Sequence, residues 1–329
     1  MRTFSEADGF VFCSDVPGLM KALNLIETKE TWRLFIDSSK SSLKAVLLHK
    51  GNRLPSIPIA YSRDLCENYE NLKLLLHHIS YSSHQWKICA DFKVIAIVLG
   101  LQSGNTKFPC FLCEWDSRER AQHYKKKKWP PRVNLAPGQK NIVHEPLVAH
   151  KNIILPPLHI KLGLVKNFIK GLSRIGKAHQ HLSSCFPQLS QAKLNEGILT
   201  GPQIKKLVKD STFKEVLNDN EKQAWSSFIK LTENFLGNNK APTYVGDVKN
   251  LIKSYQKMGC NMSLKIHYLH SHLEFFPENL GDESDEHGEK FHQDFSHYEI
   301  RFNKKQQKSL LGDYCWNVAQ RTCILSEDQ

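Results

Sequence analysis

Two acids stand at the ends of apolar runs. Asp37 closes Trp32-Arg33-Leu34-Phe35-Ile36-Asp37, and Asp91 closes Trp86-Lys87-Ile88-Cys89-Ala90-Asp91. Carboxylates at the ends of neighbouring strands are hard oxygen ligands of the kind Mg²⁺ accepts. A pair of such ions activates water or a 3′-hydroxyl and stabilises the departing oxygen in an in-line displacement at phosphorus. A single strand-end Asp is ordinarily a turn or helix-cap residue; two at matching points of one strand order are candidates for a shared cation. The third carboxylate has to come from Asp282-Glu283-Ser284-Asp285-Glu286-His287-Gly288-Glu289-Lys290-Phe291-His292-Gln293-Asp294. Glu289 opens a helical segment and is the first choice, with Glu286 second. The same stretch also reads as a solvated acidic loop.

Softer ligands lie elsewhere. Cys110-Phe111-Leu112-Cys113 is a C-x₂-C pair, half of a zinc site. Lys265-Ile266-His267-Tyr268-Leu269-His270-Ser271-His272 can supply the other half. His267 and His272 fit the H-x₃₋₅-H spacing. A regular helix nevertheless puts residues five apart about 140° out of phase. His267 and His270 share a face better, so the choice between His270 and His272 stays open at this level. His159 starts a helix, where it either faces an active site or caps and lines that helix. Lys125-Lys126-Lys127-Lys128, followed by Trp129-Pro130-Pro131-Arg132, is a candidate phosphate-contacting loop and a weak nuclear-targeting signal. As plain sequence it is equally a solvated surface.

The elements that must position these residues follow from hydrophobic pattern. Residues 32–37, 43–49, 56–62 and 86–91 read as strands, with Gly51-Asn52 as a hairpin signal and Pro58 at an irregular or edge position. Residues 67–79 have a helical stripe, and 92–101 continue as an apolar, helical run. The order is β-β-β-α-β-α, which makes the first and fourth of these strands neighbours in one sheet. A Pro- and Lys-rich stretch runs to about residue 157. Beyond it, 158–172, 203–217, 221–236, 245–258, 262–276 and 289–301 read as helices. The expected organisation is an extension over 1–30, the first part of an α/β core over 31–119, a mainly helical insertion over 120–262, and a C-terminal part over 263–329.

The chain has 329 residues, is 40% hydrophobic, and carries a net charge of +12. That is enough apolar content for a core, which argues against intrinsic disorder. The excess of cations points to a polyanionic partner, nucleic acid before membrane. The longest apolar run, about Val94 to Leu101, is far below the roughly 18 residues that span a bilayer. The first residues, Met1-Arg2-Thr3-Phe4-Ser5-Glu6, lack an apolar signal region, so secretion is not expected. Nine cysteines with one close pair favour thiols and one metal site over a disulfide framework.

The stretches WRLFIDSSKSSLKAVLLH (32–49), WKICADFKVIAIVLGLQSGNTKFPCFLCEWDSR (86–118), PPLHIKLGLVKNF (156–168), CNMSLKIHYLHSHLEFFPENLG (260–281) and SDEHGEKFHQD (284–294) resemble a group of repetitive-element sequences of invertebrate genomes. That group in turn is similar to the DDE/D transposases. The resemblance implies a ribonuclease H-like mixed β-sheet core interrupted by a large, mainly helical insertion. It implies Asp37, Asp91 and Glu289 as catalytic acids using Mg²⁺ or Mn²⁺, and structural Zn²⁺ on Cys110, Cys113, His267 and His272. It further implies DNA as partner, contacted by Lys125 to Lys128 and Arg132, a nuclear setting and a possible homo-oligomer. Only about 30 residues precede the first of these strands, so the site-specific DNA-binding domain of such transposases is expected to be missing. The segment Arg301-Phe302-Asn303-Lys304-Lys305-Gln306-Gln307 departs from the group's more aromatic pattern. Both departures fit a truncated copy, and with it a catalytically inactive nucleic-acid-binding derivative on the same scaffold.

Overall fold

The computed structural model describes residues 3–26, 28, 30–39, 42–133, 135–302 and 307–327. Part of the 38–42 turn, and residues 303–306 of the segment noted above, lie outside the described residues. The chain is mixed α/β, with one seven-stranded sheet and fourteen α-helices among the described residues. It divides into two compact units, Met1–Asn105 with Asn134–Pro156 and Asp282–Gln329, and Thr106–Val133 with Pro157–Gly281. The second unit therefore starts earlier and ends later than the 120–262 insertion read from sequence.

The first unit holds the sheet. Its strands are β1 (Phe4–Ala7), β2 (Phe10–Cys13), β3 (Trp32–Ser38), β4 (Leu43–His49), β5 (Ile57–Ser62), β6 (Lys87–Ala90) and β7 (Ile153–Ile154). Their spatial order is β1-β2-β5-β4-β3-β6-β7. The ladder from β1 to β3 is antiparallel, whereas β3–β6 and β6–β7 are parallel. β3, β4 and β5 are near-continuous apolar runs because both faces are covered. At Pro58 the β4–β5 register slips between Ala45 and Val46; β2 pairs only with Ala60 and Tyr61, so no β2 ladder bond needs the missing N–H.

The expected extension 1–30 is instead part of this sheet. Asp8 and Gly9 both take positive φ in a two-residue turn between paired Ala7 and Phe10. Asp-Gly is the dipeptide such a hairpin favours, because both central residues must be left-handed. The helix Val16–Ala22 follows, capped by Asp15, whose Oδ1 accepts from Gly18 N–H at 2.9 Å. β7 has two residues and no pattern strong enough to announce it.

The second unit is helical, with the helices Pro157–Gly171, Lys177–Cys185, Gln191–Asn195, Gly201–Lys209, Ser211–Val216, Asp219–Asn234, Tyr244–Lys257 and Leu264–Ser271. Phe168, Phe213 and Trp225 meet in its core, with Trp225 5.0 Å from Phe168 and edge-on to Phe213 at 5.3 Å. Two expected helices are shorter than their apolar stripes. The 203–217 stripe breaks at Asp210, which caps the second piece by accepting from Phe213 N–H at 3.1 Å. The 262–276 stripe stops at His272, where φ −133° and ψ 40° leave the helical region.

Candidate acidic site and candidate metal centre

The acidic site begins with register. β3 and β6 run parallel, and Ile36 pairs with Ala90. Asp37, still within β3, and Asp91, the residue after β6, follow that pair, so the two acids stand at the same end of the sheet. Asp91 also starts the helix Phe92–Val98, its Oδ1 accepting from Val94 N–H at 2.7 Å. The capping role is thus real, and it leaves the second carboxylate oxygen to other partners.

The helix Glu286–Arg301 packs against β3 and β4. Gly288 makes the close approach possible, since a Cβ there would collide with the carbons along one edge of the Phe35 ring. Asp37 shares the Phe35 face of β3, two residues on. One helical turn past Gly288, His292 Nδ1 lies 2.6 Å from Asp37 Oδ2. That hydrogen bond holds the His292 imidazolium above its ordinary range, against burial and the nearby Lys44. Lys44, paired with Asp37 across the β3–β4 ladder, is almost fully buried. Its Nζ lies 3.8 Å from Asp37 Oδ2 and 3.1 Å from Glu299 Oε1. The Tyr61 hydroxyl donates to Glu299 at 2.9 Å. Sequence reasoning missed Lys44, His292 and Glu299; the alternation Phe35, Asp37 on one strand against Gly288, His292 on a helix was the only available signal.

Another carboxylate reaches the same sheet end unexpectedly. Glu67, just before the helix Tyr69–His78, accepts from the Ser38 hydroxyl next to Asp37 and from the Lys93 ammonium in the first turn after Asp91. Glu286 and Glu289 are half-buried in the first turn of Glu286–Arg301. Among the described residues, no trio of ligand atoms lying within 4.8 Å of one another includes Asp37, Asp91 or Glu289. Asp37 and Asp91 are brought to neighbouring strand ends; the three acids are not drawn into so tight a cluster.

The acidic loop before that helix is not solvated. Glu283, Ser284 and Asp285 are buried. Arg33, 2% exposed, donates to the carbonyls of His49 (2.8 Å), Asp282 (3.0 Å) and Ser284 (2.8 Å) and to Asn52 Oδ1 (2.7 Å). Burial lowers the Arg33 pKa, and the charges of Cys89, Glu283, Asp285 and Asp282 oppose that. One buried cation thereby pins the loop that leads into Glu286–Arg301.

The second unit gathers the sulfur and nitrogen ligands. Cys113 Sγ lies 3.2 Å from His267 Nε2 and 3.2 Å from His272 Nε2, and Cys110 Sγ lies 3.6 Å from His272 Nε2. All four ligand atoms are within 4.8 Å of one another. Zinc–sulfur and zinc–nitrogen bonds of about 2.3 and 2.0 Å at tetrahedral angles would separate S and N by about 3.5 Å, so the set has the size for such an ion. Burial pushes the Cys110 thiol up, yet hydrogen bonds with Cys113, His267 and His272 outweigh it and hold it well below the usual thiol range. Cys113 is pushed the other way, by its hydrogen bond with Cys110 and by burial. The two thiols are thus pushed in opposite directions by their mutual contact, and a divalent cation would let both ionise.

His272 joins His267 because it is the non-helical C-cap of Leu264–Ser271, which cancels the phase mismatch of a five-residue spacing. His270 stays outside the cluster; burial, then the charges of His267 and Lys127, push it down to about 4. Trp115 stacks on His267 at 4.6 Å. Arg132, expected beside the lysines as a phosphate contact, is turned inward. Its guanidinium donates to the carbonyls of Cys110 (2.7 Å), Cys113 (3.3 Å) and Phe108 (2.8 Å) and braces the C-x₂-C loop. A planar fork suits three converging carbonyls. Lys125 to Lys128 are exposed; Lys126 Nζ sits 4.2 Å over Trp129. His159 is half-buried in the first turn of Pro157–Gly171.

Residues 1–148 match a family model described as Domain of unknown function (DUF8703), and residues 157–237 match one described as Domain of unknown function (DUF8704). No curated protein matches the chain. The span between the two matches contains β7 and ends where the chain passes from the first unit to the second.

Proposed function

We propose that the chain is a transposase-derived protein on a ribonuclease H-like core with a large, mainly helical insertion, acting on DNA as a Mg²⁺- or Mn²⁺-dependent nuclease and strand transferase in the nucleus. The observation that carries the reading is the parallel pairing of Ile36 with Ala90, which sets Asp37 and Asp91 at one sheet end. Bound there, Mg²⁺ supplies charge stabilisation for displacement at phosphorus. Asp37 and Asp91 would hold the ion, with Glu289 or Glu286 reaching in from the helix that packs on β3. Cys110, Cys113, His267 and His272 would hold a structural Zn²⁺, whose soft and borderline ligands suit it and not Mg²⁺. The exposed Lys125 to Lys128 run would contact DNA phosphates, and a homo-oligomer would bring two ends together.

One observation favours a second reading, a catalytically inactive nucleic-acid-binding derivative. Asp37 is already engaged by His292 and faces the buried Lys44, so a metal has to compete with two internal cations. Plasmid nicking in Mg²⁺ or Mn²⁺ decides between them. The first reading expects nicking by the wild type and background activity in Asp91→Asn, because Asn keeps the helix cap but not the anionic ligand. Activity that survives Asp91→Asn would remove these acids from the chemistry. Salt-sensitive DNA binding without nicking would establish the second reading.

A further inference from the structure

A second cluster of unlike ligands lies in the helical unit, apart from Cys110, Cys113, His267 and His272. His181 and Cys185 are four apart on the helix Lys177–Cys185 and so share a face. Asp210 comes from the break between Gly201–Lys209 and Ser211–Val216. His181 Nε2 lies 2.7 Å from Asp210 Oδ2 and 3.2 Å from Cys185 Sγ, and Cys185 Sγ lies 3.5 Å from Asp210 Oδ2. One nitrogen, one sulfur and one oxygen therefore surround a single point.

The geometry distinguishes two kinds of chemistry. A nucleophilic Cys–His–Asp relay uses both ring nitrogens, one toward the thiol and the other toward the carboxylate. Here the same Nε2 faces both partners, so no proton relay runs through the ring. Three donor atoms converging on one point is instead what a metal ion requires. Asp210 is also prepared for the task. Its Oδ1 accepts from Phe213 N–H at 3.1 Å as a helix cap, which fixes the carboxylate and leaves Oδ2 aimed at His181 and Cys185. Such outer bonds orient metal ligands and raise affinity.

We propose that His181, Cys185 and Asp210 form a second site for a divalent transition metal of the zinc or cobalt class, with solvent in the fourth position. The side chains of His181 and Asp210 are each 19% exposed, which leaves a path for the ion and room for water. A thiolate and an imidazole exclude Mg²⁺ and Ca²⁺, which take oxygen ligands. Tetrahedral coordination needs N···O near 3.3 Å and S···N near 3.5 Å, so the His181–Asp210 pair opens by about 0.6 Å, the His181–Cys185 pair by about 0.3 Å, and the Cys185–Asp210 separation hardly changes. Coordination displaces the Cys185 thiol proton to solvent.

The test uses the full chain with Zn²⁺ or Co²⁺ as the only added ligand. Metal analysis after dialysis should find one more ion per chain in the wild type than in Cys185→Ser. In the Cys110→Ser, Cys113→Ser double variant, Co²⁺ should still produce a thiolate-to-cobalt band, and adding Cys185→Ser should abolish it. Asp210→Asn preserves the cap while removing the anionic ligand, so Co²⁺ affinity at this site should fall about tenfold or more with circular dichroism unchanged. That substitution, made in an otherwise intact chain, decides the matter even if the double variant does not fold. A metal count and Co²⁺ titration unaltered by both Cys185→Ser and Asp210→Asn would overturn the proposal and leave the cluster as hydrogen bonds alone. Loss of metal at Cys110 and Cys113 without loss at Cys185 would separate the two sites.

Discussion

Asp37 shows how one residue's neighbours decide what its type permits. The strand pattern marks it as an acid at a strand end, but its partners come from residues distant in sequence. His292 donates to it, and the nearly fully buried Lys44 brings its Nζ to 3.1 Å from the same His292 Nδ1 and 3.8 Å from Asp37. The pair has a definite pH signature. Hydrogen bonding to Asp37 raises the folded-state pKa of His292 above its unfolded value. A raised base contributes stability that is fully present below about pH 6.5 and is lost as pH rises through the folded pKa. His292→Gln in metal-free protein should therefore cost most at pH 6 and progressively less toward pH 9. Urea unfolding of both proteins at the two pH values measures this; an equal cost at both would show that the charged imidazole is not what the bond stabilises.

At the scale of elements, the important match is between a strand and a helix. Two residues of β3 advance about 6.6 Å and four residues of helix about 6 Å, so Gly288 over Phe35 and His292 over Asp37 stay in step. Gly288 sets the distance. Gly288→Ala gains about 1 kcal/mol in helix propensity, but overpacking against the buried Phe35 ring costs about 1–3 kcal/mol or more. The expected result is net destabilisation, relieved in part when Phe35→Leu is added, read as a coupling energy in a double-mutant cycle. Additive effects would mean that the helix does not rest on this ring. Element boundaries were the least legible feature. Apolar stripes run through Asp210 and His272 without interruption, yet each residue ends a helix there, Asp210 as a cap and His272 with φ and ψ outside the helical region. Both breaks place a side chain in a ligand cluster.

At the scale of the molecule, charge dominates. The chain carries +12, and the Lys125 to Lys128 run is exposed. Among the described residues no helix is long and apolar enough to cross a membrane. If DNA is the partner, neutralising phosphates releases counterions, with a log–log salt slope near −0.9 per contact on duplex DNA. Changing the four lysines to Gln should flatten that slope by about 3 to 4, as measured by fluorescence anisotropy between low and moderate salt. An unchanged slope would assign the run to solvated surface. Arg132→Gln should act differently, loosening the C-x₂-C loop through its lost carbonyl partners and leaving the slope alone.

By itself the sequence determined the features that depend on nearby residues. Short apolar runs bounded by turn residues over 32–62 and 86–91 specified the central strands, and 3.6-residue periodicity specified most of the helices. The spacing C-x₂-C and the three histidines after residue 265 marked the candidate sulfur and nitrogen ligands, with the choice between His270 and His272 left open. Asp8-Gly9 carries a hairpin signal too, in the stretch before the first of those strands. Tertiary structure alone decided which distant groups meet. The choice of His272 over His270 depends on where one helix ends. Arg33 buries an acidic loop that composition alone would leave in water, and His292 and Lys44 come to face Asp37. The β7 pairing, and the division of the second unit into Thr106–Val133 and Pro157–Gly281, likewise come from the fold. The physical reason is range: propensity and periodicity act over a few residues, whereas a ligand set or a compensated buried charge forms only when packing brings together groups that no local pattern connects.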